Sequence, residues 1–286
     1  MERFFDIAGS VVRVTGADSE MFTDAGVLAP FKTTDHHWDR WMDFAMVEEL
    51  TPPEGEIVHT NPDRRVYRAE EKLVTYIGSS AAGESSAYIR MSREGRKVDV
   101  QAKRSSFKGV IHSGIVLTAM DAAAIAVEND GFILHSSCIA YNGEAVLFTA
   151  VSGTGKSTQA DLWKKYRGAE IINGDRMMVQ VTENGCRTVG IPFSGSSGIC
   201  KNKTLPLKAI VCLSQAPENT ICRLRGVRAF RQIWEGCSVP TWDRTAVEQC
   251  MNTVTRVLGT VPVWHLCCRP DEGAVQTLEE KLAKGE

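Results

Sequence analysis

The stretch Ala150-Val151-Ser152-Gly153-Thr154-Gly155-Lys156-Ser157 constrains this chain more than any other. It follows directly on the apolar run Ala145-Val146-Leu147-Phe148 and leads into residues with helical spacing. A strand that runs into a glycine turn and then a helix beginning Lys-Ser gathers several backbone N–H groups at one point. The positive end of the helix dipole adds to them, so the point attracts an anion, and phosphate suits it. On this reading Ser152, Gly153, Thr154, Gly155, Lys156, Ser157 and Thr158 hold a nucleotide. Lys156 reaches the β- and γ-phosphates and the Ser157 hydroxyl takes Mg²⁺. Ala150 stands where the Walker A pattern has its first glycine. The expected ligands are ATP and Mg²⁺.

Composition narrows the class. With 286 residues the chain can bury one large or two medium cores. A net charge of −2 without any basic block gives no footing for nucleic acid or an anionic membrane. The most apolar helical stretch, residues 114–127, is too short to span a bilayer and carries Asp121. The first residues, Met1-Glu2-Arg3-Phe4-Phe5-Asp6, lack the charged, apolar and small-residue regions of a signal peptide, so a cytoplasmic protein is expected. Association with further copies of the chain stays open. Nine cysteines, an odd number without CxxC spacing, argue against a disulfide framework and a zinc site. The vicinal pair Cys267-Cys268 reads as packing before it reads as a redox device.

Two patterns divide the chain. Residues 10–15, 57–59, 65–68, 73–77, 87–91 and 97–102 alternate apolar and polar, with turn signals such as Asn61-Pro62-Asp63 and Arg93-Glu94-Gly95 between segments. This predicts a β-rich domain of antiparallel hairpins over residues 1–108. Helical spacing over 113–128 opens the second part, residues 109–286, which reads as α/β. Strands are expected at 132–134, 145–148, 170–172, 177–181, 187–191, 207–213 and 261–266, with helices at 156–166, 227–236 and 246–258. Asp271 is expected to cap a last helix that runs to about 283. The adjacent His36 and His37 diverge in any regular structure, so a shared metal ion is not expected.

Asp175 is the second landmark. It follows the strand after the cradle helix, in Asn173-Gly174-Asp175-Arg176. An acid there can hold Mg²⁺ or orient and deprotonate a nucleophile; alternatively it caps a turn, as Asn-Gly-Asp sequences do. His135, at the end of an upstream strand, can support phosphate or move a proton, or serve only as a hydrogen-bonded structural residue. The segment Ser194-Gly195-Ser196-Ser197-Gly198, followed by Lys201-Asn202-Lys203, has the makings of a flap that carries positive charge to phosphates.

From His135 through the loop to Gly174-Asp175-Arg176-Met177-Met178, the sequence resembles the catalytic core of HPr kinase/phosphorylase-related proteins. The Ser-Gly-Thr-Gly-Lys loop is also similar to that of the phosphoenolpyruvate carboxykinases. Further likeness lies in Ile191-Pro192-Phe193-Ser194-Gly195, in Pro206-Leu207-Lys208-Ala209-Ile210 and in Gln215-Ala216-Pro217-Glu218-Asn219. The resemblance, which covers about residues 130–270, implies an α/β P-loop catalytic domain, α+β overall with the β-rich part before it. It implies Mg²⁺-assisted phosphorylation of a hydroxyl by ATP, with Asp175, His135 and Lys156 catalytic and Ser157 and Asp175 on the metal. The acceptor would be a protein or peptide serine or a small-molecule hydroxyl. HPr kinases carry two adjacent aspartates where this chain has Gly174-Asp175, and their Pro-Gly-Arg-Asn loop has no copy here. The first departure keeps a second reading open, a nucleotide-binding regulatory module with little or no phosphotransfer.

Overall fold

Strict alternation of apolar and polar side chains decides the first part of the chain. Its strands are β1 (Arg3–Ile7), β2 (Ser10–Thr15), β3 (Arg40–Val47), β4 (Glu56–Asn61), β5 (Arg64–Ala69), β6 (Lys72–Gly78), β7 (Ala87–Glu94) and β8 (Lys97–Lys103). In this computed structural model, which describes residues 2–19, 26–78, 87–106 and 118–284, they form one sheet in the order β1-β2-β3-β8-β7-β6-β5-β4. Two contact units divide the chain, Met1–Ala122 with Thr241–Arg244, and Ala123–Pro240 with Thr245–Glu286. The patterning had suggested a division at residue 108.

The expected antiparallel hairpins are found for β1–β2 and for the run β4 to β8. β3 departs from that scheme, lying parallel to both β2 and β8. It buries Met42, Phe44 and Met46 and turns Trp41 and Asp43 outward, as a period of two requires. Trp41 lies beneath the Lys97 ammonium at 4.7 Å and the Arg13 guanidinium at 5.7 Å. Arg40, only 2% exposed, donates to Asp121 at 2.8 Å, and Arg93 donates to the same carboxylate oxygen at 3.1 Å. From the short segment Thr241–Arg244, the Trp242 carbonyl accepts from Arg68 and its ring lies under Arg64.

The second unit contains α1 (Ala122–Glu128, from its second residue on), β9 (Gly131–Tyr141), β10 (Glu144–Thr149), α2 (Lys156–Arg167), β11 (Glu170–Asn173), β12 (Arg176–Thr182) and β13 (Gly185–Val189). After these come β14 (Thr204–Gln215), β15 (Thr220–Leu224), α3 (Gly226–Trp234), β16 (Cys237–Ser238), α4 (Arg244–Thr260, from Thr245 on), β17 (Val263–Cys268) and α5 (Glu272–Lys284). The helix expected over 113–128 is occupied by α1 at its end, and residues 113–117 lie outside the described residues. Asp271 caps α5 as expected, its Oδ1 accepting from the Ala274 N–H at 3.2 Å.

Two long strands organise this sheet. β9 pairs with β12 up to His135 and with β10 from Ser136 onward. β14 pairs with β13 up to Pro206 and with β10 from Leu207. Each strand therefore changes neighbours midway, and β10-β9-β12-β13-β14 closes on itself. β10, β14 and β17 are parallel, so their carboxyl ends share one edge. Ligands of parallel sheets gather at such an edge. On one face Leu134, Leu147, Ile210 and Val263 pack against Ala229 and Ile233 of α3 and Val254 and Val257 of α4. On the other, Phe148, Val211 and Leu266 meet Trp163 of α2 and Val275 and Leu278 of α5. No helix among the described residues is long and apolar enough to cross a membrane.

Candidate functional site

The glycine loop leaves β10 at the shared carboxyl edge and enters α2. Gly155 caps α2 with φ of 117°, a left-handed conformation that favours glycine, so the loop can fold over its own amides there. The Lys156 ammonium bends back to the Ala150 carbonyl at 3.1 Å, and the Thr154 hydroxyl donates to the Val151 carbonyl at 2.8 Å. Ser137 of β9 donates to the Lys156 carbonyl at 2.9 Å, and the Gln215 amide of β14 reaches the Thr154 carbonyl at 3.4 Å. The loop is thus tied to both long strands. Ser152, Ser157 and Thr158 are exposed.

Opposite the choice between a turn-capping and a chemical Asp175, the geometry separates the two jobs. Asn173, fully buried, makes the turn: its Oδ1 accepts from the Asp175 and Arg176 N–H groups at 2.8 and 3.0 Å. Its Nδ2 donates to the Phe193 carbonyl at 2.6 Å. The Asp175 side chain is left to face His135, whose Nε2 lies 2.9 Å from Asp175 Oδ1. His135 is not at a strand end but in the middle of β9, at the residue where the strand changes neighbours. Its N–H donates to the Gly236 carbonyl and its carbonyl accepts from Thr149, so the ring is carried on a fixed backbone.

Burial pushes the Asp175 carboxyl upward, but the hydrogen bond from His135 and the nearby charges of His135, Arg176 and Lys156 outweigh it, leaving the pKa below its ordinary value. Asp175 is therefore an anion at neutral pH, and His135 Nε2 must carry the proton it donates. Burial lowers the pKa of Lys156, the Asp175 charge works against that, and the Arg176 charge adds to it. Lys156 and Asp175 are close enough for their charges to act on each other.

Arg176, which the motif reading left without a role, packs its guanidinium over the Phe193 ring at 4.7 Å and donates to Ser238 Oγ. Its Nε lies 3.7 Å from Asp175 Oδ2. Nothing in the local sequence marks Arg176, because its partners Phe193 and Ser238 are distant in sequence, whereas the Asn-Gly-Asp turn signal holds with Asn173 rather than Asp175 as the capping residue.

The missing second aspartate has a steric counterpart. A Cβ at Gly174 would stand 1.9 Å from Ser197 Oγ, so the Ser197 hydroxyl takes the room a side chain would need. The turn Gly195–Ser197 packs against Asp175 as well, since a Cβ at Gly195 would lie 2.6 Å from Asp175 Cβ. Lys201 and Lys203, expected to bring charge to phosphates, instead clasp Glu170 at 2.7 and 2.6 Å. In the first unit, His36 stacks on Phe4 at 4.5 Å. Among the described residues, no group of three or more His, Cys, Asp or Glu can hold a metal ion. Mg²⁺ fits the site in another way. It binds through one or two protein oxygens plus substrate phosphates, and the ionised Asp175 with the exposed Ser157 offers that donor set.

No family model and no curated protein sequence matches the chain. Among solved structures it is similar to the Hpr(Ser) kinase/phosphatase from Coxiella burnetii, with 11% identity over 53% of this chain and 93% of that one and a TM-score of 0.29. A likeness at that level carries no argument about fold or activity, so the functional reading rests on the residues themselves.

Proposed function

We propose that this chain is an Mg·ATP-dependent kinase that transfers the γ-phosphoryl group to a hydroxyl. One observation carries the reading: an ionised Asp175, bonded to His135, lies within electrostatic reach of Lys156, the lysine of the glycine loop. Phosphoryl transfer asks the protein for positioning and charge rather than covalent chemistry. The loop amides from Ser152 to Ser157 and the Lys156 ammonium bind the triphosphate. Bound Mg²⁺, held by Ser157 and Asp175, would supply charge neutralisation at the phosphates. His135 occupies Asp175 Oδ1 and fixes the carboxylate rotamer, leaving Oδ2 to orient the acceptor hydroxyl and receive its proton. The His135 hydrogen bond, helped by the charges of Arg176 and Lys156, keeps that carboxylate ionised. The acceptor is a seryl side chain or a small alcohol, selected by the β-rich first unit, and the protein acts in the cytoplasm.

The second reading, a nucleotide sensor without transfer, is favoured by Ser197 filling the room beside Gly174, where a second carboxylate would stand. Incubation with γ-labelled ATP and Mg²⁺ against pools of metabolites and serine peptides separates the two. The kinase reading expects label on one hydroxyl class. ATP binding with neither hydrolysis nor transfer to any pool overturns it.

A further inference from the structure

Strands β14 and β17 alternate two faces at the parallel edge. Val211, Leu266 and Cys268 point toward α2 and α5, whereas Cys212 and Val263 point to the opposite core. On that second face, beyond the packed core, Ser214 stands directly opposite Cys267, two residues from His265. Ser214 Oγ lies 3.0 Å from His265 Nε2 and donates to Cys267 Sγ at 3.1 Å, and His265 Nε2 is 3.7 Å from that sulfur. All three residues are half-buried, so a small reagent can reach them. An imidazole that takes the thiol proton becomes a cation beside the thiolate, and the adjacent serine hydroxyl donates to the same sulfur.

The remaining thiols lack this setting. Burial pushes Cys138 and Cys212 up to about 12 and Cys200 up to about 11. Cys237 and Cys250 bond each other within the core. Cys268 faces away from its neighbour and accepts from Gln159 at 3.2 Å. Cys222 is exposed.

We propose that Cys267 is a modification site, a thiol nucleophile activated by His265 and Ser214 that reacts with a hydroperoxide to give a sulfenic acid. His265 takes the thiol proton, and the thiolate electron pair attacks one peroxide oxygen. The S–O bond forms to the terminal oxygen as the O–O bond breaks, sulfur is oxidised, and the departing hydroxide or alkoxide takes the proton from His265 and leaves as water or an alcohol. Across the two neighbouring strands Cys267 is opposed by Ser214 and Thr220, so neither register partner is a thiol. A Cys267–Cys268 disulfide would require adjacent side chains on opposite faces to meet. A small external thiol then reduces the sulfenic acid.

The full chain, treated with limiting iodoacetamide at neutral pH and mapped by mass spectrometry, is expected to label Cys267 at least roughly tenfold faster than the equally half-buried Cys186, whose thiol pairs with Thr260 at 3.2 Å. Hydrogen peroxide followed by dimedone is expected to place the adduct on Cys267. His265→Ala should slow Cys267 labelling about tenfold and leave Cys186 unchanged, with a smaller loss at Cys267, about threefold, for Ser214→Ala. If His265→Ala does not fold, the wild-type ratio of the two rates decides. Equal rates at Cys267 and Cys186, a folded His265→Ala that labels as fast as wild type, or no dimedone adduct at Cys267 overturns the assignment.

Discussion

Asp121 in the first unit and Asp175 in the second both sit beside arginine, yet their settings differ. Asp121 is gripped at one oxygen by Arg40 and Arg93 at 2.8 and 3.1 Å, and Arg40 is almost fully buried. Two guanidiniums on one carboxylate make a fixed ion cluster that ties β3 and β7 to the residues before α1. Asp175 is bonded to an imidazole, and its arginine stands off at 3.7 Å. An imidazole can give and take a proton near neutral pH, which a guanidinium cannot. The partner, not the carboxylate, separates an acid locked between guanidiniums from one that faces an imidazole.

That contrast can be broken at several points. The largest effect is expected for Lys156→Ala. Removing charge-assisted bonds to phosphate should weaken ATP binding about a hundredfold by calorimetry, with turnover lost alongside. Asp121→Ala should act on stability instead. Stripping buried Arg40 of that partner should remove about 3 kcal/mol from unfolding in urea while ATP binding holds. A fall in ATP affinity at unchanged stability would erase the distinction.

A subtler test concerns the room beside Gly174. Gly174→Ala should destabilise the protein by about 1–3 kcal/mol through the contact with Ser197. Adding Ser197→Gly should restore most of the loss in a double-mutant cycle. The smallest effect is acid-dependent. Because the folded pKa of Asp175 lies below its ordinary value of 3.8, the carboxylate stabilises the fold above that pH, and the contribution is lost as pH falls through the folded pKa. The stability gap between wild type and Asp175→Asn should therefore shrink as the solution is acidified.

The parts of this molecule written in local pattern were legible in its sequence. Alternation marks β2 and β5 to β8, the glycine loop marks the start of α2, and Asp271 marks the start of α5. β1 and β3 passed unread, although Met42, Phe44 and Met46 alternate in β3, because no turn signal sets that strand off and its partners are parallel and remote. β15 and β16 were also missed; β16 has only two residues. At the site, the motif supplied His135, Lys156 and Asp175 as candidates. It did not supply Asn173 as the residue that makes the turn, Arg176 beside the acid, or Ser197 in the space next to Gly174. The last two depend on distant chain segments meeting in space, which no local pattern encodes, whereas the turn is closed locally by Asn173 Oδ1 on the Asp175 and Arg176 N–H groups. The same limit explains Lys201 and Lys203, whose charges look available in sequence but are taken by Glu170.

The central claim is that the main work of Asp175 is on the phosphoryl group, its contribution to the fold being only the small, acid-dependent one. Asp175→Asn keeps the shape and removes the charge, so ATP binding and Mg²⁺-dependent ATP turnover should be measured on that variant and the wild type together. The account predicts affinity for ATP within about threefold and turnover lower by at least about a hundredfold. Turnover equal to wild type at matched ATP occupancy would contradict it.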